Sequence, residues 1–180
     1  MNTPNGITER GRDMKDELLK TLYQTYSREI YLYLYSLCGQ TAMSEDLMQE
    51  TFLKALLSLR ESHTNMRAWL YTVARNLYLN EAKRREKEIS SEDFDLEADM
   101  LSSDILSDLM DREETKWLLQ AMLSLSPRKR EILQMQYFGG LSQGEIARIL
   151  SLTPANVRVL AMRAKKEIKE FWEEHGYDVS

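Results

Sequence analysis

The sequence predicts an all-α protein of two small helical domains joined by an acidic flexible linker. Three observations carry that expectation. Apolar residues recur at intervals of three and four along most of the chain. Turn formers are scarce, with 7 Gly and 3 Pro in 180 residues, and apolar residues make up 43%, enough for small helical cores. Charge is also unevenly divided. Residues 1–85 carry 12 Lys/Arg and 10 Asp/Glu, residues 86–114 carry 2 and 12, and residues 115–180 carry 10 and 7. A net −10 segment between two mildly basic ones reads as domain, linker, domain. The expected boundaries are a polar, mobile N-terminus at 1–13, a helical domain at 14–88, a linker at 89–113, a second domain at 114–175 and a tail at 176–180.

The first helix is expected from Asp16 to about Cys38, on the stripe Leu19, Leu22, Tyr26, Ile30, Tyr33 and Leu37, with Gly39 as its terminator. The second is expected to start at Ser44, an N-cap followed by Glu45 and Asp46 at the positive dipole end, with Met43 stapled to Met48. Its stripe is Leu47, Met48, Phe52, Ala55, Leu56 and Leu59. The other side shows Asp46, Gln49, Glu50 and Lys54, which on its own reads as a solvated face. After the polar run RESHTN, Met66, Trp69, Leu70, Val73, Ala74 and Leu77 form the strongest helical stripe. Opposite it lie Tyr71, Arg75, Tyr78 and Ala82, leading into Lys83, Arg84 and Arg85. Tyrosines interleaved with arginine suit stacked bases and phosphate. They equally suit packing against a neighbouring helix.

The acidic segment shows only weak helical spacing, at Leu101, Ile105 and Leu109. Helices return with Trp117, Leu118, Met122 and Leu125. Ser126-Pro127 then opens a helix that Gly139-Gly140 stops. Next come two helix starts of similar chemistry. Ser142 and Glu145 form a capping box, with Leu141 stapled to Ile146. Thr153 caps a helix whose first residue is Pro154, with Leu152 stapled to Val157. The Ser151-Leu152 connection is so short that the two helices must cross steeply, so the C-terminal domain is predicted to be a helix-turn-helix. On its second helix Val157, Leu160, Ala161, Ala164 and Ile168 face the first helix at Ile146, Ala147 and Leu150. Ala155, Arg158, Val159, Met162, Arg163, Lys166 and Lys169 are left outside. Arginines mixed with apolar groups fit a major groove, where Arg meets guanine edges or phosphate and apolar atoms touch thymine methyls. The bland alternative is a helical hairpin with a solvated basic face.

Other chemistries find little support. A lone Cys38 excludes an intramolecular disulfide and reads as a small buried hydrophobe. His63 and His175 do not make a metal site. No phosphate loop, HExxH or nucleophile–base set is present, so neither an enzyme nor a cofactor is expected. The stretch MNTPNGITERGRDM lacks an apolar leader, and no run reaches membrane-spanning length. A cytoplasmic, reducing setting without membrane insertion is the default expectation.

The run LSLSPRKREILQMQYFGGLSQGEIARILSLTPANVRVLAMRAKKEIKE resembles region 4 of extracytoplasmic-function (ECF) sigma factors. SEDLMQETFLKAL, followed by RAWLYTVARNLYLNEAKRR, resembles their region 2. The resemblance implies a protein that binds bacterial core RNA polymerase, at the β′ clamp helices and β flap, and directs it to promoters. It places Asp46, Gln49 and Glu50 on the clamp helices, against the solvated-face reading. It places Ser62, His63, Thr64 and Asn65 where a flipped base of the −10 element is captured. Arg75, Asn76, Lys83, Arg84 and Arg85 would lie along the −10 DNA. Ala155, Asn156, Arg158, Val159, Met162, Arg163 and Lys166 would read the −35 duplex. The linker would thread through the polymerase, and an inhibitory anti-sigma partner is expected. Two positions depart from the family pattern: Asn80 where Asp is frequent, and Ser151 where Gly is frequent. Ser151 implies a turn that does not require glycine or one that is slightly strained. The competing readings are a stand-alone helix-turn-helix repressor or activator and a helical interaction protein with no DNA role.

Overall fold

The computed structural model describes residues 9–58, 65–88 and 113–177. Ser62, His63, Thr64, the acidic linker and its Leu101, Ile105 and Leu109 spacing lie outside the described residues. All the described secondary structure is helical. The first three helices are α1 (Glu9–Cys38), α2 (Thr41–Ser58) and α3 (Met66–Glu88). The C-terminal domain holds α4 (Glu113–Ser124), α5 (Pro127–Leu133) with a π turn at Gln134–Phe138, α6 (Gln143–Leu150) and α7 (Pro154–Glu174).

In the N-terminal domain α1, α2 and α3 pack on one another. α1 starts at Glu9, earlier than the predicted Asp16. It stops where predicted, at Gly39, whose φ of 66° is a left-handed conformation and whose N–H donates to the Tyr35 carbonyl at 2.8 Å. The break is short, so α2 begins at Thr41 rather than at Ser44. Ser44 is buried in the first turn, not a cap. Its N–H and its hydroxyl both donate to the Gln40 carbonyl, at 3.0 and 2.6 Å. Leu47, Met48, Phe52 and Ala55 are buried as the stripe predicts. The half-buried Cys38 thiol lies 3.1 Å from the Ser44 hydroxyl.

α3 is covered on both sides. Leu70, Ala74 and Leu77 are buried, and so is Tyr71 from the opposite face. Tyr71 meets Tyr33 edge-on at 4.9 Å, and the Tyr78 hydroxyl donates to the Leu37 carbonyl at 3.2 Å. The two tyrosines pack rather than stand ready to stack bases. The reason is positional: both tyrosines turn toward α1, where they meet Tyr33 and Leu37.

In the C-terminal domain α5 and α7 cross beside α4 and α6, around Ile132, Met135, Ile146, Val157 and Ala164. Arg130 ties its elements together. Its guanidinium donates to the carbonyls of Met122, Leu123 and Leu125, each at 2.9 Å, satisfying the end of α4, and to Ser36 of α1 at 2.6 Å. Burial pulls the Arg130 pKa below its ordinary value.

The two domains touch. The Tyr33 hydroxyl donates to a Glu131 carboxylate oxygen at 2.9 Å, and Arg75 Nε donates to the same oxygen at 3.0 Å. A Cβ at Gly139 would stand 2.7 Å from the Tyr71 hydroxyl, so this glycine permits the close approach of the C-terminal domain to α3.

Candidate nucleic-acid interface

Two locally determined helix starts and one strained residue set the geometry of α6 and α7. The Glu145 N–H donates to Ser142 Oγ at 3.2 Å, and the Ser142 N–H donates to Glu145 Oε2 at 2.7 Å, completing the predicted capping box. That backbone donation holds the Glu145 carboxyl below its ordinary pKa. Thr153 caps α7 by accepting from the Asn156 N–H at 3.2 Å. Between them Ser151 sits at φ 54°, ψ 45°, left-handed. The Leu152 N–H donates to Ala147 O at 2.8 Å, the six-to-one bond of a Schellman ending. The turn is thus the glycine-favouring kind, held by a serine at a steric cost.

Val157, Ala161, Ala164 and Ile168 bury one face of α7, and Leu160 is half-buried beside them. Ala155, Asn156, Arg158, Val159, Met162, Arg163 and Lys166 are all exposed. Val159 is 39% and Met162 64% exposed, which in water alone is unfavourable for apolar side chains. Among the described residues, neither Arg158 nor Arg163 has a carboxylate within 4.0 Å, whereas Lys166 pairs loosely with Glu170 at 3.5 Å. The outer face of α7 therefore presents two uncommitted guanidiniums around a small apolar patch. Lys165 extends over the Tyr137 ring of the π turn, 5.0 Å from its centroid, which braces the helix from the side.

In the N-terminal domain Asp46, Gln49 and Glu50 lie on one exposed face of α2. Beside them an apolar groove of about 710 Å³ runs between α1 and α2, lined among others by Leu19, Tyr23, Gln49, Phe52, Leu53 and Leu56. Leu53 is 54% and Leu57 78% exposed. Sequence reasoning missed this groove. The signal was Leu53, a leucine off the helical stripe, which a wheel leaves facing outward.

The residues expected to hold −10 DNA are not equally available. Asn76 and Lys83 are exposed. Arg84 forks onto Glu81 at 2.7 and 3.0 Å, and Arg85 reaches the same carboxylate at 2.9 Å. Hydrogen bonds from Arg84 and then Arg85 pull Glu81 down to about 2. Asn65 caps α3, its Oδ1 accepting from the Ala68 N–H at 3.0 Å, while its amide donates to Glu145. Arg75 is committed to Glu131, their side chains only 16% and 9% exposed.

Among the described residues no group of His, Cys, Asp or Glu could hold a metal ion, and no helix is long and apolar enough to cross a membrane. What remains is a helical domain coupled to a helix-turn-helix with an open basic and apolar face, the architecture of a DNA-binding transcription protein. Residues 22–88 match the family described as Sigma-70 region 2, and residues 115–168 match Sigma-70, region 4. The chain is 28% identical over 152 residues to the ECF RNA polymerase sigma factor SigM of Bacillus subtilis (strain 168), covering 84% of this chain and 93% of that protein. It is 31% identical over 164 residues to the RNA polymerase sigma factor YlaC of the same organism, covering 84% and 90%. Its fold is similar to that of the sigma factor RpoE, solved in complex with the anti-sigma factor NepR from Bartonella quintana. The TM-score there is 0.69 at 23% identity, over 90% of this chain and 98% of that one.

The chain belongs to the ECF RNA polymerase sigma factors. Its function is promoter recognition on behalf of core RNA polymerase.

Proposed function

We propose that the chain works by two grips and a melt. The face of α2 carrying Asp46, Gln49 and Glu50, with the adjoining apolar groove, binds the β′ clamp helices. The C-terminal domain sits on the β flap and lays α7 in the −35 major groove. There Arg158 and Arg163 meet guanine edges or phosphates, and Val159 and Met162 meet thymine methyls. The start of α3, with Ser62, His63, Thr64 and Asn65 before it, captures an unstacked −10 base. Arg75, Asn76, Lys83, Arg84 and Arg85 hold the strand. Capturing a flipped base offsets the few kcal/mol that unstacking costs. Each grip alone is weak. Tethered on one chain and fixed on polymerase, they act at high effective concentration.

The protein does this in the cytoplasm, with no catalysis of its own and no cofactor. It is held in check by an anti-sigma factor, a reading supported by the similar sigma factor RpoE, solved in complex with the anti-sigma factor NepR. The observation that carries the reading is the outward side of α7. Every side chain expected to meet bases there is exposed, while the opposite face is buried.

The test is run-off transcription with sigma-free bacterial core polymerase and a genomic promoter library. Promoter-specific transcripts that depend on the added chain support the reading. DNA binding by the chain alone, with no transcripts, indicates a free-standing regulator instead.

A further inference from the structure

We propose that Lys165 contacts a phosphate of the −35 duplex and that Tyr137 is the residue that positions it; this rests on α7 lying in the −35 major groove. The π turn at Gln134–Phe138 supplies the ring. Its closing bond spans five residues, the Gly139 N–H donating to the Gln134 carbonyl at 3.0 Å. That span holds one residue more than an α turn, so the backbone bulges, a feature that recurs at functional sites. Gln134 and Met135 stay buried, while Tyr137 is left 56% exposed. A ring so exposed adds little to the core. What it does hold is a cation: Lys165 Nζ lies 5.0 Å from its centroid.

The kind of partner decides whether a lysine is free to bind DNA. α7 carries three, Lys165, Lys166 and Lys169. Lys166 pairs with Glu170 at 3.5 Å and Lys169 with Glu173 at 3.6 Å. Among the described residues Lys165 has no carboxylate within 4.0 Å. Four positions on, where a helical ion-pair partner would stand, is Lys169. A carboxylate would cancel the charge that attracts phosphate. A ring face instead fixes the ammonium and leaves its charge, and the N–H donors on its outer side, available.

Position along the helix selects phosphate over bases. Lys165 follows Arg158 by seven residues, about two turns, so the two stand nearly in line on one flank of the outer face. Two turns rise about 10.5 Å, more than the major groove's depth of about 8.5 Å. In a helix that meets base edges with its N-terminal residues, Arg158 reaches the floor of the groove and Lys165 stands at its wall, where the backbone runs. Tyr137 and Lys165 both belong to the C-terminal domain, so their contact travels with α7 onto DNA.

The experiment uses holoenzyme assembled from bacterial core polymerase and the full chain. The probes are a labelled promoter duplex recovered by run-off transcription and the same duplex with its −35 element scrambled. Fluorescence anisotropy reads both affinities across a series of potassium chloride concentrations. Lys165→Gln should make the slope of log affinity against log salt shallower by about 0.9, the counterion release of one phosphate. At 0.1 M salt that corresponds to about an eightfold loss. The loss should be equal on both duplexes, because a phosphate carries no sequence. Tyr137→Leu should lose part of the same affinity, and Tyr137→Phe, which keeps the ring, should retain it. In the Lys165→Gln background Tyr137→Leu should cost nothing further. An unchanged salt slope, or a loss confined to the matched duplex, overturns the phosphate contact. A Tyr137→Leu loss as large in the Lys165→Gln background as in wild type overturns the positioning. Arg158→Ala reads the groove placement separately, since it should erode the preference for the matched duplex. A preference left intact by Arg158→Ala overturns the placement of α7 and the phosphate contact with it. An eroded preference beside a salt slope that Lys165→Gln does not change overturns Lys165 alone.

Discussion

Arg130 offers the sharpest quantitative test of how the C-terminal domain is held together. Its guanidinium makes four hydrogen bonds to backbone carbonyls, three at the end of α4 and one across to Ser36. Bonds to a charged donor contribute about 1.5–3 kcal/mol each when well buried. Arg130 is half-buried and water can reach part of the α4 terminus in the variant, so about 1 kcal/mol per bond is the appropriate scale. Arg130→Ala should then cost about 3 kcal/mol from the α4 bonds alone, before counting the lost packing of its aliphatic stem. The substitution leaves no unpaired charge behind, which keeps the loss below that of breaking a buried ion pair. Arg130→Lys keeps the charge but not the planar fork, so it should recover about half of the loss. Urea unfolding followed by far-ultraviolet circular dichroism measures both. A domain of this size shifts by about 4–8 °C per kcal/mol, so the alanine variant should melt more than about 10 °C lower. If Arg130→Ala lies within about 1 kcal/mol of wild type, or if lysine substitutes without loss, the carbonyl-gathering role is wrong.

Three other outcomes follow from the same geometry. Removing Arg158 or Arg163 should weaken −35 binding by holoenzyme by about 1–3 kcal/mol each while leaving the melting temperature unchanged; mobility-shift assays with promoter duplexes decide it. At the left-handed turn, Ser151→Gly should be neutral or slightly stabilising, whereas Ser151→Val should cost about 1–2 kcal/mol, because a branched side chain resists that conformation; thermal melts separate the two. Glu81 has a lowered folded-state pKa, so the stability it adds is complete above its ordinary value of 4.5 and is lost as pH falls through about 2. A carbon-detected titration of that carboxyl should therefore find a midpoint far below 4.5, and a midpoint at 4.5 would remove its role in clasping Arg84 and Arg85.

Where local chemistry decides structure, the sequence was a good guide. Gly39, Pro127, Ser142, Thr153 and Pro154 each act within a few residues of themselves, and the elements they start or stop lie where they imply. Ser44 misled for a related reason. A serine that can cap a helix can also back-bond within its first turn, and the tight Gly39-Gln40 break selected the second use. The turn at Ser151 was legible only as an alternative. Whether a serine sits in a left-handed well depends on the bond from Leu152 to Ala147, which the helix crossing sets.

The two faces of the candidate site differ in legibility for a deeper reason. The outer side of α7 is defined by subtraction: between Pro154 and Ile168 the residues Val157, Leu160, Ala161, Ala164 and Ile168 pack inward, and the base-facing candidates are what they leave outside. A wheel performs that subtraction correctly because, although α4, α5 and α6 all touch α7, the positions it leaves outside stay exposed among the described residues. α3 defeats the same method because two surfaces compete for it. Its leucines satisfy the three-helix core and leave Tyr71 and Arg75 where a wheel reads them as exposed, although Tyr71 also meets Tyr33 of α1. The second domain then arrives on that side, with Gly139 against Tyr71 and Glu131 against Arg75. Nothing within α3 encodes the arrival. The information is carried by Tyr33, Arg75 and Glu131, residues far apart in sequence whose charges and donors balance only when the domains meet. The residues hardest to place from the sequence are therefore those whose partners lie in the other domain.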